Sequence, residues 1–256
     1  MELTGFSFDL LFILFLVAIL AGFLDTLAGG GGLITMPALM ISGVPPLAAL
    51  GTNKLQGSVG TATSTFMMLK HHRIKWHDVK TLMFFSFIGS ALGSIAVQFI
   101  NTATLSFAIP FALLFIAIYF IISPMPSHID TKPRLSKKIY QASIVPLIGW
   151  YDGMFGPGTG SFFSLAGVSL RGHSLLNATA FAKSLNFSSN IASLIIFMFA
   201  GQVVLVLGIV MMLGQAMGAW LGSHYLFKIN PTYLRFLVVF VSVSMLIKYA
   251  LNIGWI

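Results

Sequence analysis

Two lysines stand where an ammonium group is costly. Lys54 and Lys183 lie inside long apolar stretches. At ~1.5 Å of rise per residue, the segment 175–183 covers roughly 12 Å, so Lys183 sits deep if the segment crosses a bilayer. Each lysine follows a glycine run, "LDTLAGGGGLITMP" (24–37) or "GWYDGMFGPGTG" (149–160), and each run opens four residues after an aspartate, Asp25 or Asp152. Glycine costs about 1 kcal/mol against alanine inside a helix, so the runs break the chain. A new half-helix starts after each break. Its first amides carry partial positive charge, and glycine lets a ligand approach them closely. Gly30, Gly31, Gly32, Gly158, Thr159 and Gly160, with Lys54 and Lys183, are therefore candidate ligands for a small anion. Asn53 and Gln56 beside Lys54, and Asn186 and Asn190 on the face of Lys183, extend a polar stripe. Asp25 and Asp152 have three readings. They pair with the lysines and keep an empty site neutral, they take up protons and couple transport to a gradient, or they cap the broken helix ends.

Each element also has a plainer reading. Glycine runs allow close helix packing. Lysines snorkel to an interface. Buried amides and hydroxyls bond neighbouring helices. The pairing of two runs with two intramembrane lysines favours the anion site.

The elements that must hold these residues are membrane helices. The chain of 256 residues is 57% hydrophobic and 8% charged, with mean hydropathy +0.94, against about 25% charged in soluble domains. Spans need about 20 apolar residues. Eight are expected, at 8–28, 47–70, 79–100, 103–123, 139–155, 175–200, 202–226 and 231–253. The segments 33–43 and 161–171 are half-spans. Lys70, Arg73, Lys75 and Lys80 follow the second span, and Lys132, Arg134, Lys137 and Lys138 follow the fourth. The positive-inside rule makes that side cytoplasmic, with both termini on it and with Arg171 and Lys228 opposite.

The halves resemble each other. Asp25 aligns with Asp152, Gly29 with Gly156 and Lys54 with Lys183, and "IGSALGS" (88–94) with "LGQAMGA" (213–219). The fold class expected is an all-α integral membrane protein of two four-helix repeats, 1–124 and 139–256, joined by a cytoplasmic basic loop, 125–138. Each repeat carries a Gly-broken half-helix. An even number of spans per repeat predicts an axis along the membrane normal and no inversion.

No cysteine is present, so disulfides and thiolate metal sites are excluded. HExxH, GxSxG and clustered carboxylates for Mg²⁺ are missing, which argues against an enzyme. No cofactor is expected. The positive charges lie in short loops, which argues against a nucleic-acid partner. The six histidines, among them His173, read as surface residues. Gly89–Gly93 and Gly214–Gly218–Gly222 read as packing faces, within the protomer or at a dimer contact.

The stretches "AGFLDTLAGGGGLITMPAL" (21–39), "ALGTNKLQG" (49–57), "GWYDGMFGPGTGSFF" (149–163) and "AFAKSLNFSSNIASL" (180–194) resemble the TauE/SafE family of sulfite and organosulfonate exporters, most nearly its YfcA-type members. The resemblance implies a dimeric transporter of the bacterial inner membrane, moving small anions such as sulfite, sulfonates or related organic acids. A passive anion channel is the alternative, since both need a positive site at mid-membrane.

Overall fold

The computed structural model describes residues 2–3, 5–122, 130–226, 231–252 and 254. Lys228 and residues 125–129 of the basic loop lie outside them. Among the described residues the elements are helices apart from one minimal N-terminal hairpin, Glu2–Leu3 against Phe6–Ser7. The first half contains α1 (Phe8–Ala28), α2 (Gly32–Ile41), α3 (Pro46–Lys70), α4 (Trp76–Gln98) and α5 (Thr102–Ile122). The second begins with α6 (Lys137–Ile139), which runs through a π-helical turn (Tyr140–Ile144) into α7 (Val145–Met154). It continues with α8 (Thr159–Arg171), α9 (Leu175–Phe199), α10 (Leu205–Tyr225) and α11 (Pro231–Asn252). Among the described residues, α1, α4, α10 and 102–119 of α5 are long and apolar enough to cross a membrane. The helix reading of the sequence holds closely, including the two half-length segments.

Local chemistry sets the ends. Ser7 caps α1 by accepting from the Leu10 amide at 3.3 Å, as serine does at helix starts. Gly29 closes α1 in the left-handed region, at φ +78, where a side chain is strained. Pro46 opens α3 at a position where its missing N–H is not needed. The Asp130 carboxylate caps α9 from a distance, accepting from the Ser174 amide and the Asn177 side chain. That amide bond holds the Asp130 carboxyl below the usual carboxylate range.

Contacts between helices fix their directions, and here the structure departs from the expected topology. The Leu170 carbonyl accepts from the amides of Arg134 and Leu135, both at 3.0 Å, and the Arg171 guanidinium donates to the Leu135 carbonyl. Arg171 therefore stands on the face of the basic loop, not opposite it. Helix α8 doubles back, and 137–171 is a hairpin instead of a span. The first half does the same. Helices α1 and α3 both run parallel to α10: an added Cβ at Gly22 would meet the Gln215 carbonyl at 2.5 Å, one at Gly222 the Phe23 carbonyl at 2.8 Å, and Gly60 abuts the Gln215 side chain. The Val204 amide donates to the Thr52 hydroxyl at 2.9 Å. The starts of α1, α3 and α10 thus share the face opposite the basic loops, so α2 returns to where α1 began. Each half is a re-entrant hairpin followed by three long helices.

An odd number of crossings per half has a consequence that an even number lacks. The second half starts on the face opposite to the first. The two halves are traversed in opposite directions, which corrects the expected parallel arrangement. The N-terminus of α1 and the far end of α11 lie away from the basic loops, not beside them. Helix lengths were legible in the sequence, but which segments double back was not. Hydropathy is blind to direction, and a 21-residue apolar helix that stops inside protein looks like one that exits.

Small residues seat the crossings. Gly149 lies on the Ser86 carbonyl, 2.5 Å from an added Cβ, and Gly153 on the Ser94 amide at 2.6 Å. These contacts match those of Gly22 on Gln215 in the other half. They align Ser86 with Gln215, Gly89 with Gly218 and Gly93 with Gly222, one turn away from the expected register. Both glycine series therefore pack inside the protomer. Hydroxyls finish the seam: Ser86 donates to the Leu185 carbonyl at 2.9 Å and Ser90 to the Ser189 carbonyl at 2.7 Å.

The cysteine-free background makes the hairpin easy to test. Cysteines placed at Asp130 and Asn177, whose side chains meet at 3.4 Å, should cross-link with a short bis-thiol reagent in intact membranes. Absence of the cross-link would return the 171–174 turn to the opposite face.

Candidate functional site

The hairpin tips meet in the middle of the molecule. The Ser161 hydroxyl donates to the Ala28 carbonyl. A Cβ at Gly29 would sit 2.5 Å from the Ser161 amide, and one at Gly32 would sit 3.1 Å from Pro157 Cα. Glycine is needed here for backbone-to-backbone contact. At Gly29, Gly156 and Gly158 the positive φ adds a second requirement.

Each lysine reaches across to the opposite half. Lys54 Nζ pairs with Asp152 Oδ1 at 2.9 Å, with both side chains 1% exposed, and also donates to the Asp152 carbonyl. Lys183 Nζ lies 3.7 Å from Asp25 Oδ2 and donates to the Asp25 carbonyl. The lysines therefore do not snorkel. A buried ammonium without a partner is too costly to keep, and each aspartate closes the end of a helix where carbonyls are already free. Of the three readings of the aspartates, pairing is present in both halves, and Asp25 also caps the broken helix end at Gly31.

The two pairs differ. Asp25 faces a cavity, and its Oδ1 accepts from the Gly31 amide at 3.1 Å. Asp152 is sealed, with its Oδ2 buried and unpartnered among the described residues. The cavity, of about 30 Å³, is lined by Asp25, Gly29, Gly32, Asn53, Gln56, Gly57, Thr61, Gly156, Gly158, Thr159, Asn186, Asn190 and Gln215. Every side chain on this wall is buried. Of the residues expected at the site, Gly32, Gly158, Thr159, Asn53, Gln56, Asn186, Asn190 and Asp25 converge here. Lys54, Lys183, Asp152, Gly30, Gly31 and Gly160 lie behind the wall.

The half-helix amides are less free than expected. Gly31 gives its amide to Asp25. Leu33 and Ile34 bond the Gly30 and Gly31 carbonyls at 3.1 and 3.0 Å, and Ser161 and Phe162 bond that of Gly158 at 2.9 and 3.1 Å. The side-chain amides instead form two bonded groups, one on each half. Gln56 donates to Asn53 Oδ1 at 2.7 Å, Thr35 donates to the same oxygen at 2.6 Å, and Asn190 donates to Asn186 at 3.3 Å. Gln56 Oε1 and Gln215 Oε1 are buried acceptors without a partner among the described residues.

Sequence reasoning missed Gly57, Thr61 and Gln215. Gly57 and Thr61 fall one and two turns after Asn53 on the same face of α3, a signal available from spacing alone. Gln215 is a lone amide within an apolar helix, which marked it in the same way.

A family model described as "Sulfite exporter TauE/SafE" matches residues 14–249. The chain belongs to the sulfite exporter TauE/SafE family. A "Probable membrane transporter protein" of Haemophilus influenzae is 43% identical over 96% of this chain and 97% of its own length. "Probable membrane transporter protein ORF9" of Sinorhizobium sp is 41% identical over 94% of this chain and 93% of its own. "Probable membrane transporter protein YfcA" of Escherichia coli K12 is 39% identical over 93% and 89%. No solved structure matches. Membership of the TauE/SafE family, together with these names, indicates a membrane transporter rather than an enzyme.

Breaking a buried pair from one side strands the other charge, at a cost of about 3–5 kcal/mol. Lys54→Ala should therefore lower the thermal stability of the detergent-solubilised protein sharply. The double change Lys54→Met with Asp152→Leu should recover most of the loss. Equal stability of the single variant and the wild type would mean that the pair does not form.

Proposed function

We propose that the chain carries small oxyanions, sulfite, sulfonates or related organic acids, through the central cavity by alternating access between two inverted repeats. The crossed lysine–aspartate pairs carry this reading. They place two positive charges within a turn of a small polar cavity and balance each with a carboxylate from the other half. An arriving anion competes with Asp25 for Lys183. Adding one negative charge to two neutral pairs would be costly in a low dielectric. Protonation of Asp25 removes that cost, so one proton accompanies each monoanion. The unpartnered oxygens of Gln56 and Gln215 suit water or a ligand that brings its own O–H, and amide rotation can instead present donors.

Matched contacts support the repeats, with Asp25 answering to Asp152, Lys54 to Lys183 and Gly22 to Gly149. Inverted repeats with a midplane site at broken helices are a common transporter plan. The basic loops and Arg171 share one face, and the positive-inside rule assigns that face to the cytoplasm. Both termini are then periplasmic, in a bacterial inner membrane. A passive channel fits less well, because the lysines that an anion would pass are each held by a carboxylate of the opposite half.

In proteoliposomes, sulfite or sulfoacetate should accumulate in response to an imposed pH gradient. Asp25→Asn should abolish the gradient response while leaving anion exchange. Lys183→Ala should slow both at least tenfold, since a hydrogen bond to a charged group contributes about 1.5–3 kcal/mol. Gradient-driven accumulation by Asp25→Asn at the wild-type level would refute the coupling role. Reporters active only outside the cytoplasm should be active at both termini, and a silent C-terminal fusion would reverse the orientation.

A further inference from the structure

A second cavity lies on the basic face, and its lining differs in kind from that of the central one. Its volume is about 270 Å³ against about 30 Å³ at the centre. Lys137, Arg171 and His173 stand at its rim with Asp78. Its floor is Leu82, Phe163, Phe181 and Leu185. The floor is sealed, with Phe163 1% and Leu185 2% exposed. Phe163 is one turn beyond Thr159, and Leu185 is next to Asn186, both on the wall of the central cavity. The two cavities thus share one partition.

We propose that this cavity is a distinct binding site for a small amphipathic anion, a short alkyl sulfonate or carboxylate, which Lys137, Arg171 and His173 hold by its head while its apolar body rests on Phe163, Phe181 and Leu185. The bond from Arg171 to the Leu135 carbonyl uses one of five guanidinium N–H groups and fixes the fork at the rim. The His173 ring stacks on Phe181, with centroids 5.1 Å apart and planes 7° apart, so head and body contacts are built as one unit. Two carboxylates oppose the charge. Asp78 lines the rim, and Asp130 lies near His173 with its oxygens engaged by Ser174 and Asn177. Burial and the Arg171 charge push the His173 imidazole below its ordinary value, so Lys137 and Arg171 supply the charge at neutral pH. The size of the cavity and its mixed lining set it apart from the central site, which is polar throughout and far smaller. A role in loading substrate toward the centre rests on the transport reading above, but the binding itself does not.

The experiment is calorimetric titration of the purified full-length chain with ethanesulfonate, and with inorganic sulfate as a head without a body. Three variants are compared. Lys137→Glu alters the rim. Lys138→Glu makes the same charge change at the neighbouring exposed lysine, away from the cavity. Asn186→Ala alters the central wall. Ethanesulfonate should bind more tightly than sulfate. Lys137→Glu should weaken it about tenfold or more, as expected when a charged hydrogen bond is lost, while Lys138→Glu leaves it within about twofold and Asn186→Ala leaves the Lys137-dependent part of the binding heat in place. Equal weakening by both lysine variants would reduce the effect to net surface charge and overturn the proposal. So would loss of all binding in Asn186→Ala with none in Lys137→Glu, a result that would leave the central transport site standing. Failure of the wild type to bind ethanesulfonate would overturn it as well.

Discussion

The fold depends on two ion pairs crossed between its halves. Lysine is too expensive to bury alone, and so is aspartate. Lys54 can stay at its depth only because Asp152 comes from the other half, and Lys183 only because Asp25 does. Each half therefore completes the other, and neither can bury its own charges unaided. The glycine runs serve the same end. Asp25 and Asp152 lie where helices stop inside protein, and the stop is possible only where the chain can turn back at positive φ and two backbones can touch.

The sequence carried much of this plan. Apolar length marked the helices to within a few residues, including the half-length α2 and α8. Residue type and spacing marked Asn53, Gln56, Asn186 and Asn190 as one polar group, and they do meet. Direction was not encoded in the same way. Hydropathy treats α1 as a full span, although Gly29 turns it back against Ser161. Charge counting placed Arg171 on the far face with Lys228, although Arg171 bonds Leu135 in the basic loop. Counting each hairpin as a span changed the number of crossings per half and so inverted the expected relation between the halves.

The role of the lysines was the other point hidden from the sequence. Spacing predicted that they lie level with the glycine loops, and Lys54 does lie against Gly156. Spacing cannot say whether an ammonium points into a cavity or into a carboxylate behind its wall. That depends on which aspartate arrives from the opposite half, a contact across 98 residues for Lys54 and 158 for Lys183. The serine ladder between α4 and α9 was invisible for a similar reason. Ser86 and Ser90 look like small packing residues until the carbonyls of Leu185 and Ser189 are placed beside them.

The matched contacts also allow the two faces of the molecule to be compared position by position. The partition residues Phe163 and Leu82 and the wall residue Gly167 sit around open space on the basic face. Counted by the same offsets between halves, their counterparts are Met36, Met211 and Met40, all buried in the main core. Methionine is unbranched and flexible, and it repacks more readily than leucine or phenylalanine. One face thus holds its spare volume as a cavity, while the other holds methionine that can be rearranged to make one. Open volume on one face is matched on the other by deformable side chains.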